Sequence, residues 1–341
     1  MTVSKKILNS PEYDFLKNNE HLGDNIILLG LTGSHGYGTA NENSDVDLRG
    51  IALPSKRDLL GFGDFEQFTE VETDTVVYSL KRIVQMLQRC NPNTIELLGL
   101  KPEHYFILKP QGKALLDNRR MFLSKRAINA FGDYANDQLR RLQNALARDH
   151  LSQSDKEDHI FNSLQKSLRN LKDKYASFDN GSIVLSKGQA INPELDSEIF
   201  IDVNLEHYPI RDYKNILSEL EFVVRNYDKL QHRNRKKDDL HLNKHSMHLV
   251  RLFLMGIDLL EKEEIITCME QDHDLLIQIR NGYFQNEDGS YKNEFFDLVN
   301  DLEKRFRYAA EHTSLPDEPD RNRIEEFVIA LNEEVVLHGK Q

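Results

Sequence analysis

A chain of 341 residues with a net charge of −12 can bury a sizeable core, and its length suggests about two domains. The acidity argues against generic adhesion to nucleic acid, because non-specific binding rests on Lys and Arg neutralising phosphates. Cys90 and Cys268 stand far apart without metal-ligand spacing, which argues against a disulfide framework. The N-terminal MTVSKKILNSPEYDF lacks the apolar core of a signal peptide and no window reaches membrane length, so a cytoplasmic location is expected with no membrane partner.

In chain order, residues 25–31 (NIILLGL) form a short apolar run suited to a buried strand, and the run breaks into Gly33-Ser34, with Gly36 and Gly38 following. A second strand is predicted from Asp45-Val46-Asp47-Leu48 onward, continuing over 47–53, and a third over 74–78 (DTVVY). Ser79 can cap a helix whose Leu80, Ile83, Val84 and Leu87 fall at i, i+3, i+4 and i+7. Asn91-Pro92-Asn93 ends it and starts another. From residue 121 the periodicity is mostly helical, with helices over 131–146, 163–175, 211–230, 244–260, 275–280, 293–311 and 321–336, and β excursions at 182–185 and 198–203. The predicted class is α+β: a small mixed β-sheet domain with helices over 1–120, then a mainly α-helical domain over 121–341 that covers the site.

The chemistry concentrates in residues 31–50, LTGSHGYGTANENSDVDLRG. A glycine-serine turn after a strand leaves backbone N–H groups for phosphate oxygens. Alternation along the second strand would point the Asp45 and Asp47 carboxylates to one side, where they repel unless a cation lies between them. Hard oxygen ligands beside phosphate favour Mg²⁺, and metal-assisted phosphoryl or nucleotidyl transfer is the chemistry that needs this set. Two roles fit His35: touching the nucleotide or setting the loop geometry. Tyr37 can stack or pack, and Arg49 can contact phosphate or offset the acidic charge. Arg280 is a weaker phosphate candidate.

Gly33-Ser34 followed by Asp45-x-Asp47 resembles the signature of the polymerase β superfamily of nucleotidyltransferases, and GSHGYGT…SDVDLRG is similar to its RNA-ligase-associated, RlaP/YcgL-like branch. Similarity continues through Tyr78-Ser79-Leu80, Asn91-Pro92-Asn93, Glu96-Leu97-Leu98, the segment from Lys244 to Leu252, and Leu315-Pro316, covering roughly the first and last thirds of the chain. The resemblance implies Gly33 and Ser34 on the triphosphate, two Mg²⁺ (or Mn²⁺) ions on Asp45 and Asp47, and a third carboxylate from a neighbouring strand. Asp74 fits that place because it opens TVVY, with Glu72 as competitor on the same face by alternation. It also implies a basic helix that grips the triphosphate. Lys244, His248 and Arg251 at i, i+4 and i+7 match it, against the alternative of a solvated helix face.

The expected activity is Mg²⁺-dependent transfer of an NMP from an NTP, ATP foremost, to an acceptor hydroxyl. An RNA end is the acceptor that the resemblance implies, in RNA repair or tRNA processing. A protein hydroxyl is the second enzymatic reading, and a catalytically silent nucleotide or RNA sensor is a third of a different class. An RNA acceptor needs a local basic surface in so acidic a chain, and the cluster HRNRKK at 232–237 supplies one, unless it is a solvated loop.

Overall fold

The structure is a computed structural model that describes residues 3–150, 153–175, 182–191, 197–231 and 239–338. The basic cluster at 232–237 lies outside the described residues. In chain order the elements are α1 (Phe15–Asn18), β1 (Ile26–Leu31), α2 (Gly33–Gly36), β2 (Leu48–Ala52), α3 (Lys56–Leu60), β3 (Gln67–Glu70), β4 (Thr75–Ser79), α4 (Leu80–Leu87), α5 (Pro92–Ile95), β5 (Tyr105–Leu108) and α6 (Pro110–Asp117). They continue with α7 (Arg126–His150), α8 (Gln153–Lys174), β6 (Ile183–Gly188), β7 (Glu198–Val203), α9 (Ile210–Gln231), α10 (Asp239–Lys262), α11 (His273–Arg280), α12 (Asn293–His312) and α13 (Arg321–His338). The α+β class is as expected: a small mixed sheet of 5 strands with helices, then a largely helical C-terminal region. Among the described residues no helix is long and apolar enough to cross a membrane.

The chain divides into two compact units: residues 1–138, 246–284 and 293–341, and residues 139–245 with 285–292. The first unit therefore takes in segments from both sides of the border expected at residue 120. Its sheet runs β3-β4-β2-β1-β5, with β2 and β4 parallel and the other pairs antiparallel. Strand β1 (IILLGL) is buried along its whole length, which explains why it reads as a continuous apolar run instead of an alternating one. Leu29, Leu31, Leu48 and Val77 from three strands join Tyr13, Leu16 and Phe106 in one core cluster. Ser79 caps α4 by accepting from the Arg82 N–H at 3.2 Å, and Leu80, Ile83, Val84 and Leu87 are its buried residues, as the spacing predicts.

In the second unit the hairpin β6–β7 shares a core with α8 and α9, formed by Ile160, Leu164, Leu168, Ile183, Ile216 and Leu220.

Candidate active site

Three connections meet at one end of the five-stranded sheet. Strand β1 runs antiparallel to β2 with Leu31 opposite Leu48, and β2 runs parallel to β4 with Leu48 opposite Thr75. The end of β1 and the starts of β2 and β4 therefore coincide, and Thr32-Gly33, Asp47 and Asp74 lie together just beyond them. The Thr32 N–H donates to the Asp47 carbonyl at 2.9 Å, and the Leu48 N–H donates to the Asp74 carbonyl at 3.2 Å. Gly33 has φ 59°, and a Cβ built on it would sit 1.7 Å from Asp47 Oδ2. The Asp47 carboxylate occupies space that only glycine leaves open, in a backbone conformation that glycine favours.

The regular strand begins at Leu48, so Asp45 and Asp47 precede the ladder and the alternation argument does not set their direction. Asp45 is exposed and Asp47 half-buried. Residues 71–74 form the turn between β3 and β4, and Asp74 closes it with φ 41°. Alternation fails for Glu72 for the same reason: it is exposed in a turn, and its N–H donates to the Glu70 carboxylate at 3.4 Å. Arg49 donates to the Asp74 carboxylate at 2.9 Å and to the backbone carbonyls of Asp74 and Leu48, so of its two expected roles the offset of acidic charge is the one seen. Among the described residues no group of three or more His, Cys, Asp or Glu side chains is placed to hold a metal ion.

The loop after the turn is held from several sides. Ser34 is buried, and its carbonyl accepts from the Thr39 N–H at 2.9 Å. The His35 ring Nε2 is 3.4 Å from the Ser44 carbonyl, a loop-setting contact. Arg280 donates to the Thr39 carbonyl and, at 3.1 Å, to the Ser44 hydroxyl. The His273 ring lies 3.0 Å from the Gly38 carbonyl, and the Cys268 sulfur is 3.0 Å from where a Gly38 Cβ would stand.

Below the turn lies a second charged set, and it is enclosed. The Tyr37 hydroxyl is 3.0 Å from both Glu96 carboxylate oxygens, Arg251 donates to Glu96 at 3.2 Å, and the guanidinium carbon sits 3.6 Å from the centre of the Tyr37 ring. The Arg251 and Glu96 side chains are 4% and 6% exposed. Burial raises the Glu96 pKa above the ordinary carboxyl range, while Arg251 and the Tyr37 hydroxyl pull it back; burial likewise raises Tyr37. The His248 ring meets Tyr37 edge-on at 5.7 Å. The stripe on α10 is thus neither one open basic face nor wholly solvated. Lys244 is exposed, His248 half-buried, and Arg251 belongs to the core because Glu96 faces it. Tyr37 packs, the second of its two expected roles.

Residues 11–164 match the family described as RlaP, RNA repair pathway DNA polymerase beta family. This is the branch that the sequence resembles, and the matched stretch contains the whole five-stranded sheet, the Gly33-Ser34 turn and Asp45, Asp47 and Asp74. The family is of polymerase-β-like nucleotidyltransferases linked to RNA repair. No curated protein and no solved structure matches the chain.

Three parts of this region had no assigned role from sequence: Glu96, the Cys268–His273 support of Gly38, and the Lys101–Glu270 bridge at 2.7 Å. Glu96 was the most accessible of them. An acid inside the run TIELLGL must be buried with a partner or break the helix pattern.

Proposed function

We propose that this chain is a divalent-metal-dependent nucleotidyltransferase that moves an NMP from an NTP, ATP foremost, to a hydroxyl at an RNA end. The RlaP match supports the class of reaction and the RNA setting. The observation that carries the reading is the Asp47 carboxylate lodged against Gly33, which puts a phosphate-type turn and an acid in contact at a sheet end where two further acids stand nearby.

The residues fit Mg²⁺ or Mn²⁺: Asp45 and Asp47 offer hard oxygen donors beside a turn suited to the triphosphate, whose oxygens would complete the coordination. Asp45 and Asp47 would hold the ion that accompanies the nucleotide, and Asp74 would serve the second, at the acceptor. Held by these residues, such ions would supply charge to neutralise the triphosphate and acidify the attacking hydroxyl. The acceptor hydroxyl would give its proton to solvent or a site carboxylate as its oxygen bonds to the α-phosphorus, the bond from that phosphorus to the bridging β-phosphate oxygen would break, and pyrophosphate would leave with that oxygen. The turn at Gly33-Ser34 orients the triphosphate, His35 and Arg280 keep the loop in shape, and Arg49 offsets the repulsion among the acids.

The test is incubation with each α-labelled NTP, Mg²⁺ or Mn²⁺, and pools of RNA and protein acceptors. Label in RNA is expected. Label in protein alone would assign the hydroxyl to a protein, and no label with any acceptor would overturn the enzymatic reading. Asp74→Asn separates the steps: NTP binding is expected to stay within about tenfold while transfer falls by several orders of magnitude. Glu72→Gln should be mild.

A further inference from the structure

At the opposite end of the same sheet, removed from the carboxylates by the length of β2, roughly 15–20 Å, lies an open cavity of about 820 Å³. His21, Lys56, Arg57, Leu60, Phe62 and Asp64 are among its lining residues. We infer that this cavity binds unpaired nucleotides of the RNA acceptor, through Phe62 and His21 on bases and Lys56 and Arg57 on phosphates. The inference rests on the RNA reading above and adds a surface to it.

Phe62 carries the first part of the argument. It is fully exposed, at 104% of its reference area, yet its turn is fixed. The Gly61 and Gly63 N–H groups both donate to the Arg57 carbonyl, at 2.9 and 3.3 Å. Added Cβ atoms would meet that same carbonyl oxygen at 2.7 Å for Gly61 and Asp58 Oδ1 at 2.2 Å for Gly63. Two glycines packed this closely onto α3 hold the turn while the ring between them is turned out to solvent. Leu60, 66% exposed, lines the same cavity, so two large apolar side chains stand together in solvent where covering them would be favourable.

The second part is the partner's chemistry. His21 lines the cavity and is backed by Phe65, on which it stacks face to face with centroids 4.5 Å apart and planes 5° apart, so a second aromatic ring is held in place there. The Asp58 carboxylate is held in the α3 cap by Ser55 at 2.6 Å and faced by His21 at 3.7 Å, and Glu20 lies 3.7 Å from the other His21 nitrogen. Lys56 and Arg57 are exposed with no ion pair among the described residues, and Asp64 is the remaining carboxylate of the lining. Aromatic faces interleaved with two uncommitted cations fit single-stranded nucleic acid: every base offers a face to stack, and the phosphates meet the cations. A protein partner recognising Phe62 by apolar packing alone would have no use for those cations.

The experiment measures binding of a short fluorescein-labelled single-stranded RNA by anisotropy, beside transfer to that RNA and to a dinucleotide acceptor. Phe62→Ala is expected to weaken RNA binding roughly tenfold, the loss that one base stack gives, and to raise KM for the RNA while leaving dinucleotide transfer unchanged. The Lys56→Gln/Arg57→Gln double variant should flatten the salt dependence of binding. Labelled RNA with unchanged KM in Phe62→Ala overturns this inference and leaves the RNA reading standing. A wild type that neither binds nor labels RNA overturns both. Unaltered RNA binding with lost self-association in light scattering makes the turn a protein interface and overturns the inference too.

Discussion

Two charged sets flank the same glycine-rich turn and behave in opposite ways. At the sheet end, Asp45, Asp47 and Asp74 are exposed or half-buried, with Arg49 paired to Asp74. Beneath the turn, Glu96 is buried, bonded by Tyr37 on both oxygens and paired with Arg251. An acid left open to solvent keeps its capacity for cations and phosphate chemistry, whereas an enclosed acid with matched donors has spent that capacity on holding the loop. Residue type alone does not distinguish the two sets. Burial and partners do.

The largest effect expected to sharpen this contrast is on chemistry. Asp47→Asn removes charge but little volume, so transfer should fall by about three orders of magnitude or more, roughly 4 kcal/mol of barrier, with an unchanged unfolding midpoint. Near-normal turnover in a folded Asp47→Asn protein would break the assignment. The buried set should give the mirror image. Arg251→Ala leaves Glu96 enclosed without its cation and should cost about 3–5 kcal/mol of stability, read as a lowered denaturant midpoint. A variant as stable as the wild type, with weakened NTP binding, would return Arg251 to the triphosphate.

Between the two sets stands Gly33, which belongs to both. Gly33→Ala forces a Cβ onto the Asp47 carboxylate and a left-handed φ onto alanine, at a cost of about 1–3 kcal/mol. Because the carboxylate must move, transfer should fall more than stability does. Equal KM and kcat in this variant would show that the Asp47 position is unimportant.

Much of this was legible in the sequence, and the failures have physical reasons. The buried strand β1 and the capped helix α4 follow from period and capping, and helices α7 to α13 are expected from period, although α8 begins at Gln153, ten residues before the expected start, and α13 buries only Ile324 and Leu331. Strands β3 (QFTE) and β5 (YFIL) went unread: each has four residues, too few to show a period, and both lie at sheet edges. Gly33-Ser34 and Asp45-x-Asp47 can be read together because they lie close in sequence, and the fold brings Gly33, Asp47 and the more distant Asp74 to one sheet end. The role of Arg251 was not, since its partner Glu96 lies 155 positions away and a polar helix stripe looks alike whether solvent or an acid faces it. The alternation applied to Asp45 and Glu72 failed where the chain leaves the ladder, which composition does not mark.

The smallest expected effect concerns His104, which is half-buried and sits between the two sets in character. Burial lowers its pKa below the ordinary imidazole range, Lys101 and His35 push the same way, and Glu103 opposes them. The sign follows from linkage. The unfolded chain takes up the proton at a higher pH than the folded one, so the stability that the neutral ring contributes is present above the ordinary imidazole range and is lost as pH falls through the lowered folded value. His104→Gln cannot titrate there. Denaturant unfolding at neutral and at mildly acidic pH should therefore show the wild type losing stability relative to His104→Gln on acidification, with a small margin because water screens a half-exposed ring. A gap between the two proteins that widens in favour of the wild type at acid pH would mean that the folded ring is stabilised as its cation. His104 would then belong with the solvent-facing charges of the sheet end.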